Sequence, residues 1–107
     1  MPHAPRAPRA FAQVRVLSTL PELRVMNLSQ NGGVTDRCVP LLAALPVLES
    51  LNLSNTNVGA GALPALQRLV ALTSLALYAC ALPPAAAGAL RTHLPRLLTL
   101  GIDAPNE

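Results

Sequence analysis

Few side chains in this sequence of 107 residues can do covalent or acid–base chemistry. They are Cys38 and Cys80, His3 and His93, and five acids: Glu22, Asp36, Glu49, Asp103 and Glu107. A cysteine nucleophile needs a neighbouring cation or histidine to hold it as the thiolate. Arg37 stands beside Cys38 at an expected helix start, while no Lys or His flanks Cys80. Helix packing is the expected role of Cys38, and a structural role at a turn that of Cys80. His3 lies in the N-terminal stretch, and His93, near an expected helix end, reads as a surface residue rather than a base. The acids form no i, i+4 pair and no metal-like cluster, and no G-x-S-x-G, P-loop or H-E-x-x-H motif occurs. Two cysteines make neither a zinc site nor a disulfide framework. The chain is therefore expected to be no enzyme, with no cofactor and no metal.

What recurs instead is hydrogen-bonding chemistry at a fixed spacing. Four segments align on Leu23, Leu48, Leu72 and Leu97, which are 25, 24 and 25 residues apart. Each has apolar residues at positions one, four and six: Leu23, Met26 and Leu28, then Leu48, Leu51 and Leu53, then Leu72, Leu75 and Leu77, then Leu97, Leu100 and Ile102. The alternation at the end of this pattern predicts a short strand with one buried face. The residues between must then face away from the core. Position three holds Val25, Ser50, Ser74 and Thr99, and position five holds Asn27, Asn52, Ala76 and Gly101. Position seven holds Ser29, Ser54, Tyr78 and Asp103, and position eight holds Gln30, Asn55 and Ala79. With strands in register, each set becomes a row across a sheet. The candidate partner-binding residues are Asn27, Ser29, Gln30, Ser50, Asn52, Ser54, Asn55, Ser74, Tyr78, Thr99 and Asp103. Tyr78 is the candidate anchor, because Tyr supplies contact area with few rotors. Four strands ~4.8 Å apart span about 15 Å, room for one helix or a short extended peptide.

Between the strands, leucines recur three and four apart, as in Leu42-Ala43-Ala44-Leu45 and Leu66-Gln67-Arg68-Leu69. That spacing predicts helices with one apolar face. Thr35 and Asp36 offer N-cap side chains before Pro40, and Pro64 and Pro83-Pro84 suit a first helical turn. Pro46 and Pro95 stand where helices should have ended. At the turn from strand to helix, Asn31, Thr56 and Cys80 occupy one slot, where a polar side chain can bond backbone groups that the sheet leaves unpaired.

The unit of strand, turn, helix and turn resembles the leucine-rich-repeat family. The match is to L-x-x-L-x-L-x-x-N/C-x-L, with Asn31, Thr56 and Cys80 in the Asn/Cys slot, and it covers roughly Leu17 to Ile102. The stretch from Gly33 through Val58 looks most like the helix-containing, cysteine-containing or ribonuclease-inhibitor-like subclasses. The resemblance implies an α/β solenoid with parallel strands on a concave side and helices on a convex side. It implies a non-enzymatic module that binds a protein or peptide on the concave face. An alternative is a structural subunit or fragment that stacks end-on in a larger assembly. The expected organisation is a flexible tail over 1–10, a repeat domain over 11–103 and a C-terminal tail over 104–107. Phe11 to Leu20 is expected to cap the first repeat. The fourth repeat, with Leu97, Leu98, Leu100 and Ile102, is the expected site of end-on association.

Composition excludes other classes. Hydrophobic residues make up 51% of the chain and charged residues 12%, which is not the balance of a disordered chain. The net charge of +3 comes from eight Arg and no Lys, without a dense basic stripe, and aromatics are 2%. No nucleic-acid partner is expected. No apolar run approaches the ~20 residues that span a membrane, so no membrane partner is expected and the chain reads as cytoplasmic. The Ala/Pro/Arg-rich start has a weak likeness to an organelle-targeting segment, but Pro2, Pro5 and Pro8 oppose the amphipathic helix that needs. Asn27-Leu28-Ser29 and Asn52-Leu53-Ser54 match a glycosylation triplet, as a by-product of the repeat pattern.

Overall fold

Each aligned segment forms a strand where the alternation predicts one. In the computed structural model, which describes residues 9–83 and 85–102, these are β1 (Val25–Asn27), β2 (Ser50–Asn52), β3 (Ser74–Leu77) and β4 (Thr99–Ile102). They make one parallel sheet in the order β1-β2-β3-β4. The register follows the sequence alignment: Val25 pairs with Ser50, Ser50 with Ser74 and Ser74 with Thr99. Position four points into the core, with Met26, Leu51 and Leu75 buried and Leu100 half-buried. A one-residue slip would turn these side chains to water, so burial enforces the register.

One carbonyl per unit takes two amides just ahead of the strands. Arg24 O accepts from Glu49 N and Ser50 N at 2.8 and 2.9 Å, and Glu49 O accepts from Thr73 N and Ser74 N at 2.8 and 3.1 Å. Thr73 O accepts from Leu98 N and Thr99 N at 2.8 and 3.0 Å. Shared acceptors of this kind satisfy donors that a strictly alternating ladder would leave unpaired.

Helices return the chain: α1 (Arg9–Leu17), α2 (Val39–Leu42), α3 (Leu63–Leu66) and α4 (Ala86–His93), with a 3-10 turn at Ala60–Ala62 leading into α3. Neighbouring helices pack on one another, α1 on α2, α2 on α3 and α3 on α4. Their inward residues Val39, Leu42, Leu66 and Leu90 are fully buried with Leu48, Leu53, Leu72 and Leu77 from the strand segments. This is an aliphatic α/β core. Pro40 and Pro64 sit in the first turns of α2 and α3, where a missing N–H costs nothing.

Two expectations are corrected. The helical leucines do not mean long helices, because α2 and α3 are four residues each and the chain leaves them through turns. Leucines three and four apart serve helix and turn alike when both face the same core. Thr35 and Asp36 do not cap α2, whose N-cap is Cys38 without a side-chain cap bond. Thr35 Oγ1 instead accepts from Arg37 N at 3.3 Å, and Asp36 Oδ1 accepts from Gly59 N at 2.5 Å, at the head of the 3-10 turn in the next unit. α1 begins at Arg9, inside the stretch read as a tail over 1–10. That helix covers the β1 end of the core with fully buried Val14 and with half-buried Phe11 and Leu17. The remainder of that tail and the one over 104–107 lie outside the described residues. Among the described residues no helix is long and apolar enough to cross a membrane.

Candidate functional site

The sheet face turned away from the helices carries the rows anticipated from position three onward. Ser50 and Ser74 are half-buried and Thr99 is exposed, with Val25 exposed at the β1 end. One row further, Asn27 is exposed and Asn52 and Ala76 are half-buried. The two amides are not loose. Asn27 Oδ1 accepts from Ser29 N at 2.9 Å and from Ser29 Oγ at 2.7 Å, and Asn52 Oδ1 accepts from Ser54 N at 3.0 Å. A backbone N–H must meet an acceptor, so these Asx turns fix which amide atom is which. The Asn-x-Ser pattern read as two glycosylation triplets thus builds the turn at the end of β1 and β2.

Ser54 differs from the other candidates in its burial. It is buried, 8% exposed, and its Oγ accepts from Tyr78 N at 3.0 Å. It ties the end of β2 to the end of β3. Ser29 is half-buried, while Gln30 and Asn55 are exposed. Gln30, Asn55 and Ala79 all adopt the left-handed region, with φ of 59°, 58° and 56°. Each makes the bend by which the chain leaves its strand. Gln30 N still donates to Ser54 O and Asn55 N to Tyr78 O, both at 2.8 Å, so the bend begins inside the ladder. Asp103 lies outside the described residues.

Tyr78 is 52% exposed and does not stand upright. Its ring lies over the backbone of Gly101 on β4. A Cβ on Gly101 would meet Cε2 at 2.5 Å, Cζ at 2.7 Å and Oη at 2.8 Å. The missing side chain is therefore what seats the ring. The ring thus lies over β4 at the Ala76–Gly101 pair, the row that follows the Ser74 and Thr99 hydroxyls.

Sequence reasoning missed a charged pair at the margin of this face. Arg24 Nη1 lies 2.8 Å from Glu49 Oε2, with both side chains exposed. The signal was present: both residues occupy position two, one unit apart.

The slot residues act behind the face. Thr56 Oγ1 donates to Leu53 O at 2.6 Å, and Cys80 Sγ lies 3.0 Å from the same carbonyl and 3.7 Å from Thr56 Oγ1. Asn31 contributes its carbonyl to Val34 N at 3.0 Å. Both cysteines are free thiols, Cys38 buried and Cys80 half-buried. Among the described residues no group of three His, Cys, Asp or Glu side chains could hold a metal.

No family model matches the chain, and none of the curated proteins does. Solved structures do resemble it. One is a chain from the structure of Chaetomium Mex67:Mtr2 subunits, at TM-score 0.70 and 23% identity, covering 94% of this chain and 73% of that one. Another is the tropomodulin C-terminal domain of Caenorhabditis elegans, at TM-score 0.64 and 17% identity, covering 91% of this chain and 62% of that one. At these identities the likeness is one of fold: a small α/β arrangement with parallel strands in sequence order.

Proposed function

We propose that this chain is a leucine-rich-repeat solenoid module that binds a protein or peptide on its open, concave sheet face, without catalysis. The observation that carries this reading is the pairing of Ser50 with Ser74 and of Ser74 with Thr99, beside a half-exposed Tyr78. In-register hydroxyls on a sheet that the helices leave open offer donors and acceptors at the strand spacing, and the aromatic ring supplies area next to them. The contact set is Ser50, Asn52, Ser74, Tyr78 and Thr99, with Asn27, Ser29, Gln30 and Asn55 at its rim. A similar fold occurs in a structure of subunits named as a pair, Mex67:Mtr2, which is in keeping with a part in a protein complex. The two free thiols are in keeping with a reducing compartment such as the cytoplasm.

The test is display selection of peptides against the purified chain, followed by titration of the best binder into Tyr78→Ala and Ser74→Arg. Both variants should lose affinity, by about tenfold or more for the anchor. Undiminished binding in both would place the site elsewhere.

A second reading is end-on stacking through β4. Leu98 is 82% exposed, and Leu97, Leu100 and Ile102 are half-buried where Leu72, Leu75 and Leu77 are fully buried. Light scattering over a wide concentration range decides it. Association that Leu98→Glu abolishes supports stacking, and a monomer throughout removes it.

A further inference from the structure

Because all four strands run the same way, the segments that lead from a helix into a strand share one edge of the sheet. The segments that leave a strand share the opposite edge. Cationic side chains gather on the first. Arg15 lies in the last turn of α1, Arg24 directly precedes β1, and Arg68 follows α3. Arg91 and His93 lie in the last turn of α4, and Arg96 stands between α4 and β4. The opposite edge carries Asp36 and Arg37 before α2.

The acids do not balance this edge evenly. Glu49 is taken by Arg24 at 2.8 Å, and Glu22 stands near the β1 end. From Ser50 to Ile102 the chain holds Arg68, Arg91 and Arg96 and no Asp or Glu at all. All three guanidinium-bearing residues are exposed. α3 packs on α4, so Arg68 and Arg91 belong to adjacent units of the same edge. A cation in the last turn of a helix can be explained by the helix dipole, which accounts for Arg91 and His93. It does not account for Arg68 and Arg96, which lie beyond their helices.

We propose that this edge, at its α3–α4 end, docks an acidic peptide segment of a partner protein, a run of Asp and Glu side chains laid across Arg68, Arg91 and Arg96. Guanidinium groups match carboxylates in planar, two-point fashion and keep their charge at any physiological pH. A nucleic acid fits less well. Three arginines fall short of the roughly six to ten phosphate contacts that make such binding strong, and no aromatic side chain accompanies them. This surface lies apart from the Tyr78 face and stands or falls without it.

The probe is a fluorescent decamer of glutamate, followed by anisotropy at low ionic strength. The wild-type chain should bind it, and binding should fade toward about 0.5 M salt, where exposed charges are screened. The triple variant Arg68→Glu, Arg91→Glu, Arg96→Glu should bind about tenfold more weakly or worse, against about twofold for Arg37→Glu on the opposite edge. A triple Arg→Gln variant should show a smaller loss in the same direction, and it decides the matter if the charge-reversed chain loses its circular dichroism. Tyr78→Ala should bind the decamer as the wild type does, so the two surfaces fail separately. Absence of binding at low salt would overturn the proposal. So would an equal loss in Arg37→Glu, or tighter binding of a single-stranded oligonucleotide of the same charge.

Discussion

The ring of Tyr78 rests on the backbone of Gly101, one strand away, in space that a single methyl group would fill. The ring is the far end of a half-exposed side chain that can swing aside, so Gly101→Ala should unseat it and destabilise the fold by less than about 1 kcal/mol. Most of that loss should vanish in a Tyr78→Ala background, because the overlapping atoms are gone. Urea unfolding of the four chains of this double-mutant cycle measures the coupling.

Asp36 and Gly61 stand in a similar relation. The carboxylate bonds Gly59 N, and a Cβ on Gly61 would lie 2.5 Å from Oδ2. Asp36→Ala should cost about 1–2 kcal/mol through the unmet amide at the 3-10 turn. Gly61→Ala should cost as much in the wild type and little once Asp36 is Ala. Thermal unfolding of the set checks both signs.

The three left-handed residues differ in how well their side chains suit that backbone. Ala79 has the least reason to be there, since Asn tolerates the region and Ala does not. Ala79→Gly should stabilise the chain by about 0.5–1 kcal/mol, and Asn55→Gly should change it by less. Denaturation midpoints at constant slope would show the ranking, and a destabilised Ala79→Gly would contradict it.

The thiols should separate by access. Cys80 is half-buried and Cys38 fully buried. An alkylating reagent on the native chain should modify Cys80 first and reach Cys38 only as fast as the chain opens. Peptide mapping of a timed reaction measures the order, and earlier labelling of Cys38 would place it nearer the surface than its packing implies.

Strand positions were legible because burial is periodic. Leu51 and Leu75 each recur where one face must be dry, and the pairing of Ser50 with Ser74 follows from counting. Helix lengths were not legible. Leu42 and Leu45 keep helical spacing, yet α2 ends at Leu42 and Leu45 packs from a turn. Spacing records which side chains reach the core, not which amides bond along a helix. The face was legible as rows but not in its detail. Asn27 and Asn52 have a local signature as turn formers, since an amide can bond the backbone two residues on. Ser54 gave no such signal, because its partner Tyr78 N is 24 residues away. Asp36 was assigned to the nearest helix for the same reason, and its real partner lies 23 residues on. Gly101 brings no side chain to its row, and the Tyr78 ring that covers it comes from a residue 23 positions earlier, a relation that no local pattern marks.

The bonds that reach between units share one property. Arg24 to Glu49, Gly32 to Asn57, Asp36 to Gly59 and Ser54 to Tyr78 span 25, 25, 23 and 24 residues. Each fastens a unit to its immediate neighbour and skips none. Among the described residues, a chain stitched in this way has no clasp that must open before the rest can yield. Held at its two ends and stretched, it would let go from a terminus one stitch at a time. A unit of 25 residues drawn straight would lengthen the tether by about 80 Å at each step. A sawtooth of equal increments, rather than a single rupture, is the mechanical signature of this arrangement.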